Sequence, residues 1–157
     1  MSMKIEKVQE RKEIKSIVEK CFNGDNDLIE KFHIKAGTCL EDCIEDTCNV
    51  LENYTCWDFE FYKVIDKEVI GFIGIEPMIS HLTTFCLIKE RRTKENKEKL
   101  WELIGELLPG GFNCGLYKKN ERAIKYLITN GCTVKRESVY NNEPIIILNF
   151  KKEVLCH

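Results

Sequence analysis

The chain has 157 residues, of which 43% are hydrophobic and 32% are charged, and its formal net charge is −2. This length suits one domain with a packed core, so we interpret residues 1–157 as a single domain. The near-neutral charge excludes proteins that bind nucleic acid or anionic membranes through bulk positive charge. No apolar run approaches the ~20 residues that a membrane-spanning helix requires. We therefore expect neither nucleic acid nor a membrane as a partner.

The number of cysteines indicates the cellular compartment in which the protein folds. There are nine cysteines, an odd number, and the first residues contain no apolar signal core. Disulfide frameworks are typical of secreted chains with paired cysteines. The sequence therefore predicts a cytoplasmic protein with free thiols.

The first third of the chain has a helical pattern. A short strand is predicted over 4–8 and a helix over 10–22, where Ile14, Ile17, Val18 and Cys21 form one apolar stripe. A second helical region, broken near Gly37 and Thr38, is predicted over 27–53.

The period then changes to that of strands, which are predicted over 57–65, 68–76 and 81–88 with a tight turn at 66–67. A helix with an apolar side follows these strands. After it come a strand over 112–117 and one more helix with an apolar side. Two strands, 134–140 and 145–150, end the pattern with a hairpin turn at 141–143. The apolar side of the first of these helices contains Leu100, Leu103, Ile104, Leu107 and Leu108, and that of the second contains Ala123, Ile124, Leu127 and Ile128. The alternation predicts a mixed α/β fold.

Two segments resemble a known family. Residues 120–132 read NERAIKYLITNGC, which resembles the late helix of the GNAT acyltransferase superfamily, Asn-x-x-Ala-Ile-x-(Phe/Leu)-Tyr-x-x-x-Gly-Phe. Residues 69–75, VIGFIGI, are similar to that family's central hairpin strand. The order of elements over nearly the whole chain is similar too. The resemblance implies a GNAT-like α/β fold, with a central mixed, mostly antiparallel sheet flanked by helices, and an acetyl-CoA-dependent N-acetyltransferase activity.

The resemblance also implies where acetyl-CoA would bind. In the family, this cosubstrate lies between two parallel strands that splay apart, and its pantetheine arm pairs with the end of the fourth strand. The matching residues are Cys86, Leu87 and Ile88. The pyrophosphate sits on the next loop and helix N-terminus, where free backbone N–H groups face the anion. The matching residues there are Arg92, Thr93, Lys94, Glu95, Asn96 and Lys97, and Asn120 is a further candidate contact.

The sequence departs from the family pattern at three positions, two in the pyrophosphate loop and one on the late helix. Glu95 and Lys97 stand where the family has glycine or a small residue, and Leu127 stands where many members have a tyrosine that protonates the leaving thiolate. Arg92 and the neighbouring basic residues would compensate through direct phosphate contacts. The departures predict reduced or altered CoA binding.

Candidate catalytic residues lie near the ends of strands. Glu76 and His81 are candidates for the base that deprotonates the amine, and Tyr117 is a candidate acid. Each also has a structural interpretation. Glu76 ends a strand, His81 begins one, and Tyr117 is an amphipathic side chain of the kind that lies at the edge of a hydrophobic core. Asn120 likewise suits a helix N-cap.

A cluster of cysteines invites a metal interpretation. Cys39, Cys43, Cys48 and Cys56 lie in one region with His33, but their spacing lacks the close C-x2-C pairs of structural zinc sites. We therefore predict no metal.

Two functional hypotheses remain. The first is an N-acetyltransferase for a small-molecule or peptide amine, which the acidic residues of 41–46 could attract, with a homodimer as an open option. The second is a non-catalytic GNAT-like protein with a binding or assembly role.

Overall fold

The computed structural model describes residues 3–23, 25, 58–140 and 142–152. These residues contain, in chain order, β1 (Lys4–Lys7), α1 (Arg11–Phe22), β2 (Glu60–Asp66), β3 (Glu68–Glu76), β4 (His81–Leu87), α2 (Lys94–Leu107), β5 (Gly111–Tyr117), α3 (Glu121–Thr129), β6 (Thr133–Tyr140) and β7 (Glu143–Lys151). Short 3-10 turns follow β3 and β4, at Pro77–Ile79 and Lys89–Arg91. The predicted helix over 27–53, the acidic residues of 41–46 and the cysteine cluster with His33 lie outside the described residues.

The seven strands form one mixed sheet in the order β1-β2-β3-β4-β5-β7-β6. Every neighbouring pair is antiparallel except β4 and β5, which are parallel. The predicted α/β class and the mostly antiparallel sheet are therefore confirmed. The predicted strands are confirmed with shifts of a few residues, the largest at β2, which begins at Glu60 rather than at residue 57.

Helices cover both faces of this sheet. On one face α2 buries Leu100, Leu103 and Ile104, as the apolar stripe predicted. On the other face Val18 and Phe22 of α1 pack with Phe61 and Phe72 of the sheet. We call these the α2 face and the α1 face.

The apolar side of α3 is narrower than predicted. Ile124 and Leu127 are buried, but Ile128 is 46% exposed. At 3.6 residues per turn, Ile128 lies roughly 100° from the middle of the buried stripe, whose other edge extends to Tyr126. The prediction that Ile128 is buried was therefore wrong.

A glycine allows β3 and β4 to come close beside the end of β4. A Cβ atom on Gly71 would lie 2.2 Å from the carbonyl oxygen of Cys86. Any side chain at this position would push the two strands apart. Gly71 therefore helps to set the position of β4 within the sheet.

The described cysteines are free thiols, as predicted: Cys21, Cys86, Cys114 and Cys132, all of them buried. Among the described helices, none is both long enough and apolar enough to cross a membrane.

Candidate functional site

The parallel strands β4 and β5 enclose an opening. Their one register pair is His81 with Asn113, and the Asn113 N–H donates to the Ser80 carbonyl at 2.8 Å. Beyond this pair β4 stays paired with β3 as far as Leu87, and β5 stays paired with β7 as far as Tyr117. Over the described residues no further β4–β5 pair forms, so the strands part towards their C-terminal ends. The His81–Asn113 pair is the apex of this opening.

The end of β4 presents alternate backbone groups to the opening. The Ile88 N–H donates to the Ile70 carbonyl of β3 at 2.8 Å, so this group faces away from β5. Because backbone groups alternate in direction along a strand, those of Leu87 face the opening. Of the predicted pantetheine contacts, Leu87 is thus the residue placed to pair with a ligand there, and the Cys86 side chain is buried on the α1 face.

The loop after β4 is held by two arginines. The Arg91 guanidinium pairs with Asp66, and the Arg92 guanidinium pairs with Asp25, whose side chain is 1% exposed. Arg92 also donates through Nε to the Leu87 carbonyl at 2.9 Å. Arg92 therefore lies at the predicted place but is engaged by protein groups, which makes it a positioning residue for the end of β4.

The N-terminus of α2 follows this loop. The Thr93 hydroxyl accepts from the Asn96 N–H at 3.2 Å, and the Thr93 carbonyl accepts from the Lys97 N–H at 2.9 Å. Asn96 donates through Nδ2 to the Arg91 carbonyl at 2.8 Å. Thr93 and Asn96 thus shape the helix start, while the first-turn N–H groups of residues 94 and 95 face outward as in any helix start.

Lysines supply the positive charge that is available around this N-terminus. Lys89, Lys94 and Lys97 form no ion pair with any described residue. Glu95 is exposed in the first turn of α2, where its carboxylate interacts favourably with the helix dipole. That same carboxylate would repel a phosphate and offset part of the positive charge of the three lysines.

Asn120 lies at the N-cap position of α3 but its side chain makes no capping hydrogen bond, contrary to the capping interpretation. Its backbone carbonyl accepts from the Ile124 N–H at 3.2 Å, and its φ and ψ angles of −82° and 61° differ from the extended geometry of a side-chain cap. The residue is 8% exposed, and its amide has no partner among the described residues. Because no described side-chain nitrogen or oxygen is both buried and without a partner, solvent or a ligand reaches this amide, which makes it a candidate ligand contact.

At the position where many members of the family have a tyrosine, α3 offers no free hydroxyl. Leu127 is fully buried in the core of the α2 face. The neighbouring Tyr126 donates its hydroxyl to the Lys97 carbonyl at 2.8 Å, and burial raises its pKa far above the usual value. Tyr126 thus ties α3 to the first turn of α2, and its hydroxyl is engaged by the backbone of that turn.

Glu76 and His81 are brought together, directly opposite one another on β3 and β4. Glu76 is 2% exposed, and its Oε2 accepts from the Thr83 hydroxyl at 3.2 Å. Burial lowers the pKa of His81 below 6.5, although the Glu76 carboxylate opposes the shift. His81 is therefore neutral at pH 7 and able to accept a proton.

Tyr117 lies apart from this pair. It ends β5, four residues beyond Asn113, which places it ~13 Å from the apex at 3.3 Å per residue. Its ring packs against Tyr140 with a centroid distance of 6.5 Å. The structure does not bring Tyr117 to Glu76 and His81.

Two asparagines near the apex, Asn113 and Asn149, were not predicted as site residues. Asn149 donates through Nδ2 to Oδ1 of Asn113 at 2.9 Å, on neighbouring strands. Each is a lone amide between apolar neighbours in its strand. That pattern is the signal that could have drawn attention to them.

The fold has well-matched counterparts among solved structures. An acetyltransferase from Thermus thermophilus superposes with a TM-score of 0.70 at 13% identity, covering 97% of this chain and 98% of that one. The enzyme AAC(6′)-Ib, in complex with ribostamycin and coenzyme A, superposes with a TM-score of 0.69 at 14% identity, covering 97% and 94%. A spermidine N-acetyltransferase from Vibrio cholerae, in complex with CoA and spermine, gives 0.61 at 14% identity, covering 95% of each chain.

The chain has the GNAT fold. The identities are low, and neither a protein-family model nor a curated protein sequence matches the chain. The likeness is therefore one of architecture, and it confirms the predicted fold. Within this GNAT fold, the opening between β4 and β5 lies where the resemblance implied a cosubstrate would bind.

Proposed function

We propose that this chain is an acetyl-CoA-dependent N-acetyltransferase that acts on a primary amine. The observation that carries the proposal is the opening between β4 and β5, which has its apex at His81 and Asn113. Asn120 follows β5, and the N-terminus of α2 follows β4, so both border the open end. Solved GNAT-fold proteins that contain CoA or acetyl-CoA support this choice of cosubstrate.

The described residues fit such a cosubstrate. The backbone groups of Leu87 would pair with the pantetheine arm, and the Asn120 amide would bind a polar group of it. The N–H groups of Lys94 and Glu95 would bind phosphate oxygens, as helix N-termini do. The ammonium groups of Lys94 and Lys97 would add charge in place of the absent glycines.

The residues at the apex would carry the proton transfer. Acetyl-CoA supplies an acetyl thioester. Glu76 and neutral His81 would take a proton from the attacking amine, directly or through a water. The new C–N bond replaces the C–S bond, and CoA leaves as its thiolate, which needs no acid at Leu127 because a thiolate is a stable leaving group. The base then releases the amine proton to solvent.

A second candidate function is a GNAT-fold binding protein without catalysis. Specific observations favour it: the guanidinium groups of Arg91 and Arg92 are paired with carboxylates, Glu95 stands beside the phosphate position, and Leu127 is buried. In each case a group that the family pattern would use for binding or catalysis is either replaced by another residue or engaged by another protein group. A cytoplasmic location and a homodimer remain predictions under either function.

Amine-dependent release of CoA tests the proposal. We expect the wild-type chain to release CoA from acetyl-CoA when primary amines are added, and Glu76→Gln to lower kcat by about a hundredfold, the scale of general base catalysis. The control is Glu106→Gln, on the exposed side of α2, which should leave kcat unchanged. Thermal unfolding of both variants checks that they fold. A folded Glu76→Gln protein with the wild-type kcat would contradict the assigned base.

A further inference from the structure

A row of polar side chains crosses the sheet at the apex. Register pairs join Glu76 to His81, His81 to Asn113, Asn113 to Asn149, and Asn149 to Thr133, on five adjacent strands. Residues directly opposite each other point to the same face of a sheet. The row is therefore continuous from the candidate base to the edge strand β6.

This row lies on the α1 face. Phe112 and Cys114, which flank Asn113 in β5, are buried on the α2 face. Successive side chains of a strand point to opposite faces, so Asn113 and the residues paired with it point to the other one. The row thus faces away from α2 and α3.

The two asparagines of the row present one donor and one acceptor. Asn149 uses its Nδ2 group for Oδ1 of Asn113 at 2.9 Å and for the Phe112 carbonyl at 3.4 Å. Within the described part of the chain, Nδ2 of Asn113 and Oδ1 of Asn149 have no partner. No described side-chain nitrogen or oxygen is both buried and without a partner. Solvent, or a ligand, therefore reaches both atoms.

The row also fixes how far these atoms lie from the base. Neighbouring strands are about 4.8 Å apart, so Asn113 lies about one strand spacing from His81, and Asn149 lies about two. A peptide group joined to an α-amine lies within one residue length, ~3.8 Å between successive Cα atoms. An amine held at Glu76 and His81 would place its own first amide group over the asparagine pair.

We propose that Asn113 and Asn149 bind the amide group of the acceptor, so that the acceptor is an α-amine next to an amide: a peptide N-terminus or an amino-acid amide. A peptide group has one N–H donor and one C=O acceptor, which complements the free acceptor and donor of the pair. An amine without the amide leaves both asparagine atoms facing a ligand that cannot bond them. The inference rests on the proposed N-acetyltransferase function and adds the acceptor class to it.

The test compares two acceptors of similar size, the dipeptide amide Ala-Ala-NH2 and a simple alkylamine. We expect the wild-type chain to have a higher kcat/KM for the dipeptide amide. Asn113→Ala should lower that kcat/KM about tenfold more than it lowers the value for the alkylamine, which is the scale of one lost hydrogen bond. The control is Thr133→Val at the outer, exposed end of the row, which should preserve the preference. Thermal unfolding confirms that each variant folds.

Equal wild-type kcat/KM values for the two acceptors, or an equal fall for both in Asn113→Ala, would overturn the inference while leaving the proposed function in place. A chain that releases no CoA with any amine would instead overturn the proposed function. In that case binding of Ala-Ala-NH2 by ligand-observed NMR still tests the asparagine pair. A signal that Asn113→Ala abolishes would support amide recognition, and the absence of a wild-type signal would overturn it.

Discussion

Arg92 and Asp25 form a buried ion pair that ties the end of α1 to the loop after β4. The side chain of Asp25 is 1% exposed and that of Arg92 is 16% exposed. Because Arg92 also donates to the Leu87 carbonyl, the pair positions the last residue of β4 at the opening between β4 and β5. The pair joins residues that are far apart in the chain and close to the candidate site.

Removing one partner of this pair should destabilise the fold. Asp25→Ala leaves a guanidinium in a largely buried position, and we expect the free energy of unfolding to fall by about 3 kcal/mol, as measured by urea denaturation. The control is Glu68→Gln, which breaks the exposed pair with Lys20. A surface pair contributes at most about 1 kcal/mol. Equal effects of the two substitutions would contradict the structural importance of the buried pair.

The lowered pKa of His81 predicts a dependence of stability on pH. Burial keeps the imidazole neutral in the folded chain, whereas the unfolded chain binds a proton near its usual pKa of 6.5. Below that pH the unfolded state binds more protons, so stability should fall as the pH drops from 7 towards 5. His81→Asn should remove this contribution. An NMR titration in which His81 has a pKa at or above 6.5 would contradict the assignment.

Tyr126→Phe separates a structural hydroxyl from a catalytic one. The variant loses the hydrogen bond to the Lys97 carbonyl, so we expect about 1 kcal/mol lower stability. Because the hydroxyl is engaged by the backbone, kcat for acetyl transfer should change little. A fall in kcat of about a hundredfold or more, at unchanged fold, would identify Tyr126 as the acid after all.

The charge of Glu95 predicts that acetyl-CoA binding can be improved. Glu95→Gln removes a carboxylate from the first turn of α2, next to the proposed phosphate position, and should lower the Kd for acetyl-CoA in calorimetric titrations. Glu98→Gln is the matched control, since Glu98 is exposed one turn further along the helix. The same improvement in both variants would indicate a general charge effect, and no change in Glu95→Gln would place the phosphates elsewhere.

Local patterns predicted the elements but not the contacts that join them. The stripe of Leu100, Leu103 and Ile104 sufficed to place α2 on the sheet, because a helical period needs no information from distant residues. The pairing of Arg92 with Asp25 joins segments 67 positions apart, which no local pattern contains. Arg92 was consequently expected to face a phosphate.

The acceptor side was harder to predict for the same reason. Asn113 and Asn149 lie between apolar neighbours in two strands, and only the register between β5 and β7 brings their amides together. The sequence signalled Glu76 and His81 through their chemistry, but it contained no measure of their distance from Tyr117. The register of the sheet supplies that distance and separates Tyr117 from the pair.

Binding of acetyl-CoA is the measurement that tests the central claim most directly. If the opening between β4 and β5 holds this cosubstrate, acetyl-CoA should raise the unfolding temperature in a saturable way. Asn120→Ala should weaken that effect, whereas Asn130→Ala, at the other end of α3, should preserve it. No shift of the wild-type chain at millimolar acetyl-CoA would contradict the proposed N-acetyltransferase function.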